Sequence, residues 1–97
     1  MTKINELTLG MSDVSLNAEV QEVPEPRTVR TRMGYTTKVS NATIKDDTGS
    51  ITLPLWGKKS EEISEGDKVE IKGGYVAEFR GELQLNVPRK GEINKIE

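Results

Sequence analysis

The stretch DKVEIKGGYVAEFRGELQLNV, residues 67–87, carries the pattern that decides the fold. Apolar residues occupy every second position on both sides of the turn sequence FRGE: Val69 and Ile71 before it, and Leu83, Leu85 and Val87 after it. Side chains of a β-strand point alternately to its two faces, so this period of two indicates two half-buried strands. The sequence between them is typical of a tight hairpin turn.

The glycine pair Gly73-Gly74 interrupts the first of these strands, as expected at a bulge where a strand turns the corner of a barrel. If the pair inserts one residue, the phase flips: Val76 points inward, while Tyr75 and Phe79 share the outer face. Without a bulge, Tyr75 stays on the core side. The outward position of Tyr75 therefore depends on the bulge.

Two more strands begin the chain. Residues 14–21 alternate between apolar and polar side chains, and the two prolines within residues 23–26 end that strand, because proline cannot continue a sheet ladder. The polar residues 27–34 are predicted to form a long loop that leads into a second strand, at about residues 35–45. Val39 lies on the phase opposite to the inward residues of this strand, so either its outer face is partly covered or a bulge shifts the register.

A third strand follows the turn sequence DDTGS, residues 46–50, in which Gly and Asp favour a tight hairpin. Within this strand, residues 51–56, the odd-numbered aliphatic residues form the inner row and Trp56 falls on the opposite phase. Pro54 predicts that the strand lies at a sheet edge or carries a bulge. Residues 57–66 are predicted to contain one or two helical turns.

The order of these elements predicts an all-β fold. Five strands, two tight hairpins, a long first loop and a short helical turn between strands 3 and 4 are typical of the five-stranded OB barrel, here as a single domain over residues 1–97. A last segment, residues 92–96, is predicted to pair near the N-terminus. An SH3-like barrel is the alternative, although it usually lacks the connecting helix.

Composition excludes several classes of protein. The 97 residues contain no Cys and no His, so there is no disulfide framework or thiolate zinc site, and we expect no cofactor and no metal. No apolar run approaches a membrane span or a signal peptide, and an intracellular, nucleoid-associated location is expected. The net charge is −2, yet residues 26–45 hold five cations and no acid. This segment is either a binding surface for a polyanion or a solvated basic loop.

The chain has four aromatic residues: Tyr35, Trp56, Tyr75 and Phe79. A ring buries more apolar area than an aliphatic side chain, so rings left outside the core among Lys and Arg suggest stacking platforms for unpaired bases. The alternative is packing, in which Phe79 caps a barrel end and Tyr35 packs the loop.

A set of motifs in order resembles a known family. DDTGSI at residues 46–51, Trp56, GD at 66–67, GY at 74–75 and FRG at 79–81 are similar to the single-OB single-stranded-DNA-binding proteins, archaeal relatives of replication protein A (replication factor A). Residues 4–11 are similar to the segment that leads into that family's first strand. The resemblance covers nearly the whole chain.

The resemblance implies a set of binding residues. Three rings would stack on bases (Trp56, Tyr75 and Phe79), and four cations would contact the backbone (Arg30, Arg32, Lys38 and Arg89). Asn86 stands where some relatives carry a further aromatic residue. Tyr35, at the mouth of the basic loop, and Arg80, beside Phe79, complete the predicted site.

The predicted function is non-catalytic binding of single-stranded DNA without strong sequence preference, protecting single strands in replication, recombination or repair. RNA is an alternative ligand, and other replication or repair proteins or further OB domains are the expected protein partners. One alternative is an OB-fold module for protein interaction or oligomerisation. Another is a dimeric aspartic protease built on Asp47-Thr48-Gly49, but the charged sequence before this motif favours a solvent-exposed turn.

Overall fold

A computed structural model describes residues 2–88 and 90–96, and in this part of the chain there are seven strands and two short helical segments. The elements are a 3-10 turn (Ile4–Glu6), β1 (Val14–Glu22), β2 (Arg27–Arg30), β3 (Thr36–Lys45), β4 (Ser50–Trp56), α1 (Lys59–Glu62), β5 (Lys68–Phe79), β6 (Glu82–Asn86) and β7 (Glu92–Ile96). Within these described ranges no helix is long and apolar enough to cross a membrane.

Five of the strands close into a ring in the order β1-β3-β4-β6-β5, and β5 pairs back to β1. All of these pairings are antiparallel except the one between β4 and β6. The helix α1 lies between the third and fourth strands of the ring, β4 and β5. The predicted five-stranded OB barrel with a helical turn at this connection is confirmed.

The interior of the barrel is aliphatic, as the alternation of apolar residues predicts. Its largest fully buried side chains are the leucines and isoleucines Leu16, Ile44, Leu53, Leu55, Ile71 and Leu85. The 3-10 turn closes one end, where Ile4 and Leu7 join the same buried cluster. Because aliphatic residues fill the core, the barrel does not need its aromatic rings for packing.

The bulge predicted in β5 is confirmed by the pairing with β1. Leu16 of β1 pairs with Ile71 of β5, and the next pair along is Val14 with Gly74. The same interval therefore spans two residues on β1 and three on β5. The extra residue is accommodated where Gly73 has a φ of 72°, a conformation that favours glycine. Side chains that follow the bulge therefore exchange faces relative to those before it.

Two predictions about chain segments are wrong. Residues 27–30 are not part of a loop but form β2, which pairs with β3 from Arg27 opposite Val39 to Arg30 opposite Thr36. Val39 lies between its sheet neighbours Arg27 of β2 and Trp56 of β4 and is only 4% exposed, and the register of β3 with both strands is continuous. Its outer face is therefore covered, and no bulge shifts its phase. The mostly polar sequence RTVR does not predict a strand by itself, because pairing with β3 and not alternation within β2 stabilises the strand.

The second wrong prediction concerns β7, which pairs with the first half of β5 and not near the N-terminus. Ile93 lies opposite Ile71 and is 7% exposed, so burial of this side chain at the barrel wall sets the pairing.

Pro54 causes no bulge, because the register between β3 and β4 is continuous. On its other side β4 meets β6 at a single residue pair, Thr52 opposite Gln84, and the missing N–H of Pro54 interrupts no ladder there.

Candidate nucleic-acid interface

The four aromatic side chains all lie outside the barrel core. Trp56 and Phe79 are each 51% exposed, Tyr75 is 42% exposed and Tyr35 is 57% exposed. Tyr75 and Phe79 reach the surface because the bulge in β5 places Val76 inward between them, with 3% exposure. The structure thus presents rings on the outer face of the sheet, where a flat ligand can approach them.

Trp56 ends β4 and is held by its neighbours on the sheet. It lies opposite Val39 of β3, whose side chain is buried. The next residue, Gly57, donates its N–H to the carbonyl oxygen of Lys38 at 2.8 Å, which fixes the end of the strand. The backbone of Trp56 is therefore anchored on both sides, while half of its side chain faces solvent.

A groove of about 410 Å³ runs across the sheet face between Trp56 and Phe79, and we call it the aromatic groove. It is lined by Arg27, Val29, Arg30, Thr31, Val39, Asn41, Pro54, Trp56, Phe79, Gln84 and Asn86. A second depression shares Arg27, Asn41, Phe79 and Gln84 with the groove and extends around Phe79 to Arg80 and Glu82. The guanidinium of Arg80 lies over the ring of Phe79, 5.2 Å from its centroid, in a cation–π contact.

The groove brings together some of the residues predicted from sequence and leaves others apart. Trp56, Phe79, Arg30 and Asn86 line it, and Arg80 lies at its end. Tyr75 does not line it but lies opposite Asn86 across the β5–β6 pair, on the same face of the sheet.

Three more of the predicted residues lie on the β2–β3 hairpin. Arg32 and Tyr35 are in the exposed turn at its tip, and Lys38 is exposed on the phase opposite to Val39. None of these three lines the aromatic groove. Arg89 lies outside the described residues.

The groove residues that the sequence-based prediction missed include an arginine and two amides: Arg27, Asn41 and Gln84. Gln84 shares its phase with Asn86 on β6, so alternation along that strand was a signal that pointed to it. Asn41 likewise shares its phase with Val39 on β3. Arg27 carried no such signal, because its position on the face depends on the unpredicted strand β2.

The arginines of the groove keep their charge free for a ligand. The ion pairs formed within residues 2–88 and 90–96 all use lysine as the cation, and none includes Arg27, Arg30 or Arg80. A guanidinium remains charged at any physiological pH and can bond two phosphate oxygens at once. These unpaired cations are suited to a phosphate backbone that passes along the groove.

The Asp-Thr-Gly motif forms a structural turn. Although burial raises the pKa of Asp46, hydrogen bonds from Thr48, from the N–H of Ile4 at 2.9 Å and from Gly49 hold it below the ordinary value. Asp47 is 74% exposed at its side chain and pairs with Lys3 at 2.8 Å. A secluded pair of catalytic carboxylates needs the opposite environment.

Comparison with known proteins identifies the family of this chain. Residues 14–93 match the family model described as the OB-fold nucleic acid binding domain. The chain belongs to this family. The predicted OB fold is thereby confirmed.

Two archaeal relatives agree with this family and confirm the resemblance inferred from the motifs. The single-stranded DNA binding protein Ssb of Saccharolobus solfataricus is 36% identical over 91 residues, which are 94% of this chain and 61% of the relative. Replication factor A of Methanothermobacter thermautotrophicus is 33% identical over 75 residues, covering 74% of this chain and 9% of that protein. The chain therefore spans less than two thirds of the length of these relatives.

Among solved structures, the second OB-fold domain of replication protein A from Methanococcus maripaludis superposes with a TM-score of 0.80 at 31% identity. The match covers 99% of this chain and 94% of that domain. Since nearly the whole of both chains superposes, the barrel, its helical connection and the outer strands belong to one shared architecture.

Proposed function

We propose that this protein binds single-stranded DNA without strong sequence preference, in the aromatic groove and across the neighbouring face of β5. The observation that carries the proposal is the pair of half-exposed rings, Trp56 and Phe79, at the two ends of a groove that also holds unpaired arginines. Named relatives in the family, a single-stranded DNA binding protein and a replication factor A, support the same ligand.

The chemistry of the groove favours unpaired bases. Stacking one base on an aromatic ring contributes roughly 1–3 kcal/mol and accepts every base, because each base has a π-face. In a duplex these faces are covered by neighbouring base pairs, so rings on a sheet cannot reach them. Arg27, Arg30 and Arg80 add contacts to phosphates, whose counterions are released on binding. Affinity should therefore fall as salt concentration rises.

The proposed role is that of a non-catalytic binding protein that covers exposed single strands during replication, recombination or repair. RNA can stack on the same rings, because stacking and phosphate contacts do not by themselves distinguish the 2′-hydroxyl. Further OB domains or replication proteins are the partners that such a role would need.

A fluorescence titration tests the proposal directly, because Trp56 is the one tryptophan of the chain. Addition of a short thymine oligonucleotide should quench Trp56 emission, with weaker binding at higher salt and much weaker binding to duplex DNA. A uridine oligonucleotide of equal length measures the preference for DNA over RNA. If the single strand causes no quenching at low salt while the protein assembles with itself or another protein, the interaction-module alternative is correct.

A further inference from the structure

Three carboxamide side chains line the aromatic groove together with its rings, and the sheet register gives the position of each. Asn41 of β3 lies opposite Pro54 of β4, and Gln84 of β6 lies opposite Thr52 of β4. Asn86 of β6 follows Gln84 on the same face of that strand. The floor of the groove is thus lined with amides from the strands on either side of β4.

These amides are free to bond a ligand. All three side chains are half-buried, and within residues 2–88 and 90–96 the structure shows no hydrogen bond to the amide of Asn41, Gln84 or Asn86. In the described part of the chain the hydroxyl of Thr31 is the only polar side-chain group that is fully buried without a partner, so the three amides still contact water. A ligand that filled the groove and left them unpaired would lose that hydration at a cost in affinity.

Sheet geometry allows the edge of a bound base to reach these amides. Side chains on a sheet stand roughly perpendicular to it, so a base stacked against Trp56 or Phe79 stands upright with one edge towards the floor. On its Watson–Crick edge each of thymine, cytosine, adenine and guanine carries a hydrogen-bond donor beside an acceptor. A carboxamide has an NH₂ donor beside a carbonyl acceptor, and rotation by a half-turn exchanges the two.

We propose that Asn41, Gln84 and Asn86 hydrogen-bond the edges of stacked bases, and that rotation of their amides lets the same side chains accept all four bases. This inference rests on the proposed function and adds a second source of affinity to stacking. A guanidinium can only donate and a carboxylate can only accept, so each matches only some base edges, whereas an amide can reverse its donor and acceptor. The groove then gains hydrogen bonds without gaining sequence preference.

The test uses a thymine oligonucleotide and a copy in which 2,4-difluorotoluene replaces each thymine base. This analogue has nearly the shape and stacking surface of thymine but forms only weak hydrogen bonds. Affinities for both strands are measured with the wild-type protein and with Asn41→Leu, Gln84→Met and Asn86→Leu. The matched controls are Asn17→Leu and Gln21→Met, because both residues are exposed on β1 outside the groove. Circular dichroism melting of every variant excludes unfolded protein as the cause of lost binding.

The ratio of the two affinities decides the outcome. We expect each groove substitution to weaken thymine binding by about two- to tenfold and to leave binding of the difluorotoluene strand nearly unchanged, so that the ratio falls. The controls should keep the wild-type ratio. If the thymine strand binds and the groove variants also keep that ratio, the inference is wrong and the proposed function stands. If the wild-type protein binds neither strand, both are wrong.

Discussion

Replacement of Trp56 by leucine separates stacking from packing at the main ring of the groove. Trp56 is 51% exposed, so about half of a side chain that can bury at most about 250 Å² contacts the protein. At about 25 cal/mol per Å², that contact is worth at most about 3 kcal/mol of unfolding free energy. Leucine recovers most of this apolar contact, and we expect the Trp56→Leu variant to lose only about 1 kcal/mol of stability.

Binding should respond differently, because leucine has no π-face. Loss of one stacked base weakens binding by roughly 1–3 kcal/mol, which is about 5- to 150-fold in Kd. Since the variant has no tryptophan, its affinity is measured by the fluorescence anisotropy of a labelled thymine oligonucleotide. The Trp56→Phe variant retains a ring and should keep most of the affinity. Wild-type binding by Trp56→Leu, or a loss of binding explained by unfolding alone, would refute the assignment of Trp56 as a stacking residue.

Three further predictions concern charge, the bulge and acid stability. Arg30→Gln should weaken binding equally for different base sequences and reduce the slope of log K against log salt by about 0.7, whereas Lys68→Gln, outside the groove, should leave that slope unchanged in the same titration. Gly74→Ala should destabilise the barrel by about 1–3 kcal/mol in chemical denaturation, because a Cβ there would lie 2.9 Å from the buried Leu85; an unchanged midpoint contradicts this. The lowered pKa of Asp46 stabilises the fold above the ordinary value of 3.8, and this contribution is lost as pH falls through the lower folded value. Denaturation from pH 6 down to about pH 2 should therefore show a smaller acid-induced loss for Asp46→Asn than for the wild type, and equal losses would contradict the role of the carboxylate.

Alternation of side chains was sufficient to predict the closed barrel, because each of its strands buries one aliphatic row. It also located the bulge, since the only sequence feature that reconciles inward Ile71 with inward Val76 is the glycine pair between them. The ring positions followed from these two facts. Trp56, Tyr75 and Phe79 are exposed for the same reason that their neighbours are buried.

Segments without a buried row of their own could not be predicted in this way. β2 has the sequence RTVR and is a strand only because β3 offers it an open edge, so its placement depends on a partner distant from its own pattern. β7 is likewise fixed by burial of one residue, Ile93, against β5. Arg27 was missed for this reason, since it reaches the groove only through the pairing of β2 with β3.

The most direct measurement of the central claim is a two-dimensional NMR titration of the isotope-labelled protein with a short thymine oligonucleotide. If single-stranded DNA lies in the aromatic groove, the indole N–H of Trp56 and the backbone amides of Phe79 and Gln84 should shift together. Asn17 and Lys68, on the surface around β1, should remain unchanged. Shifts that cluster around Asn17 and Lys68, with Trp56 unaffected, would contradict the account.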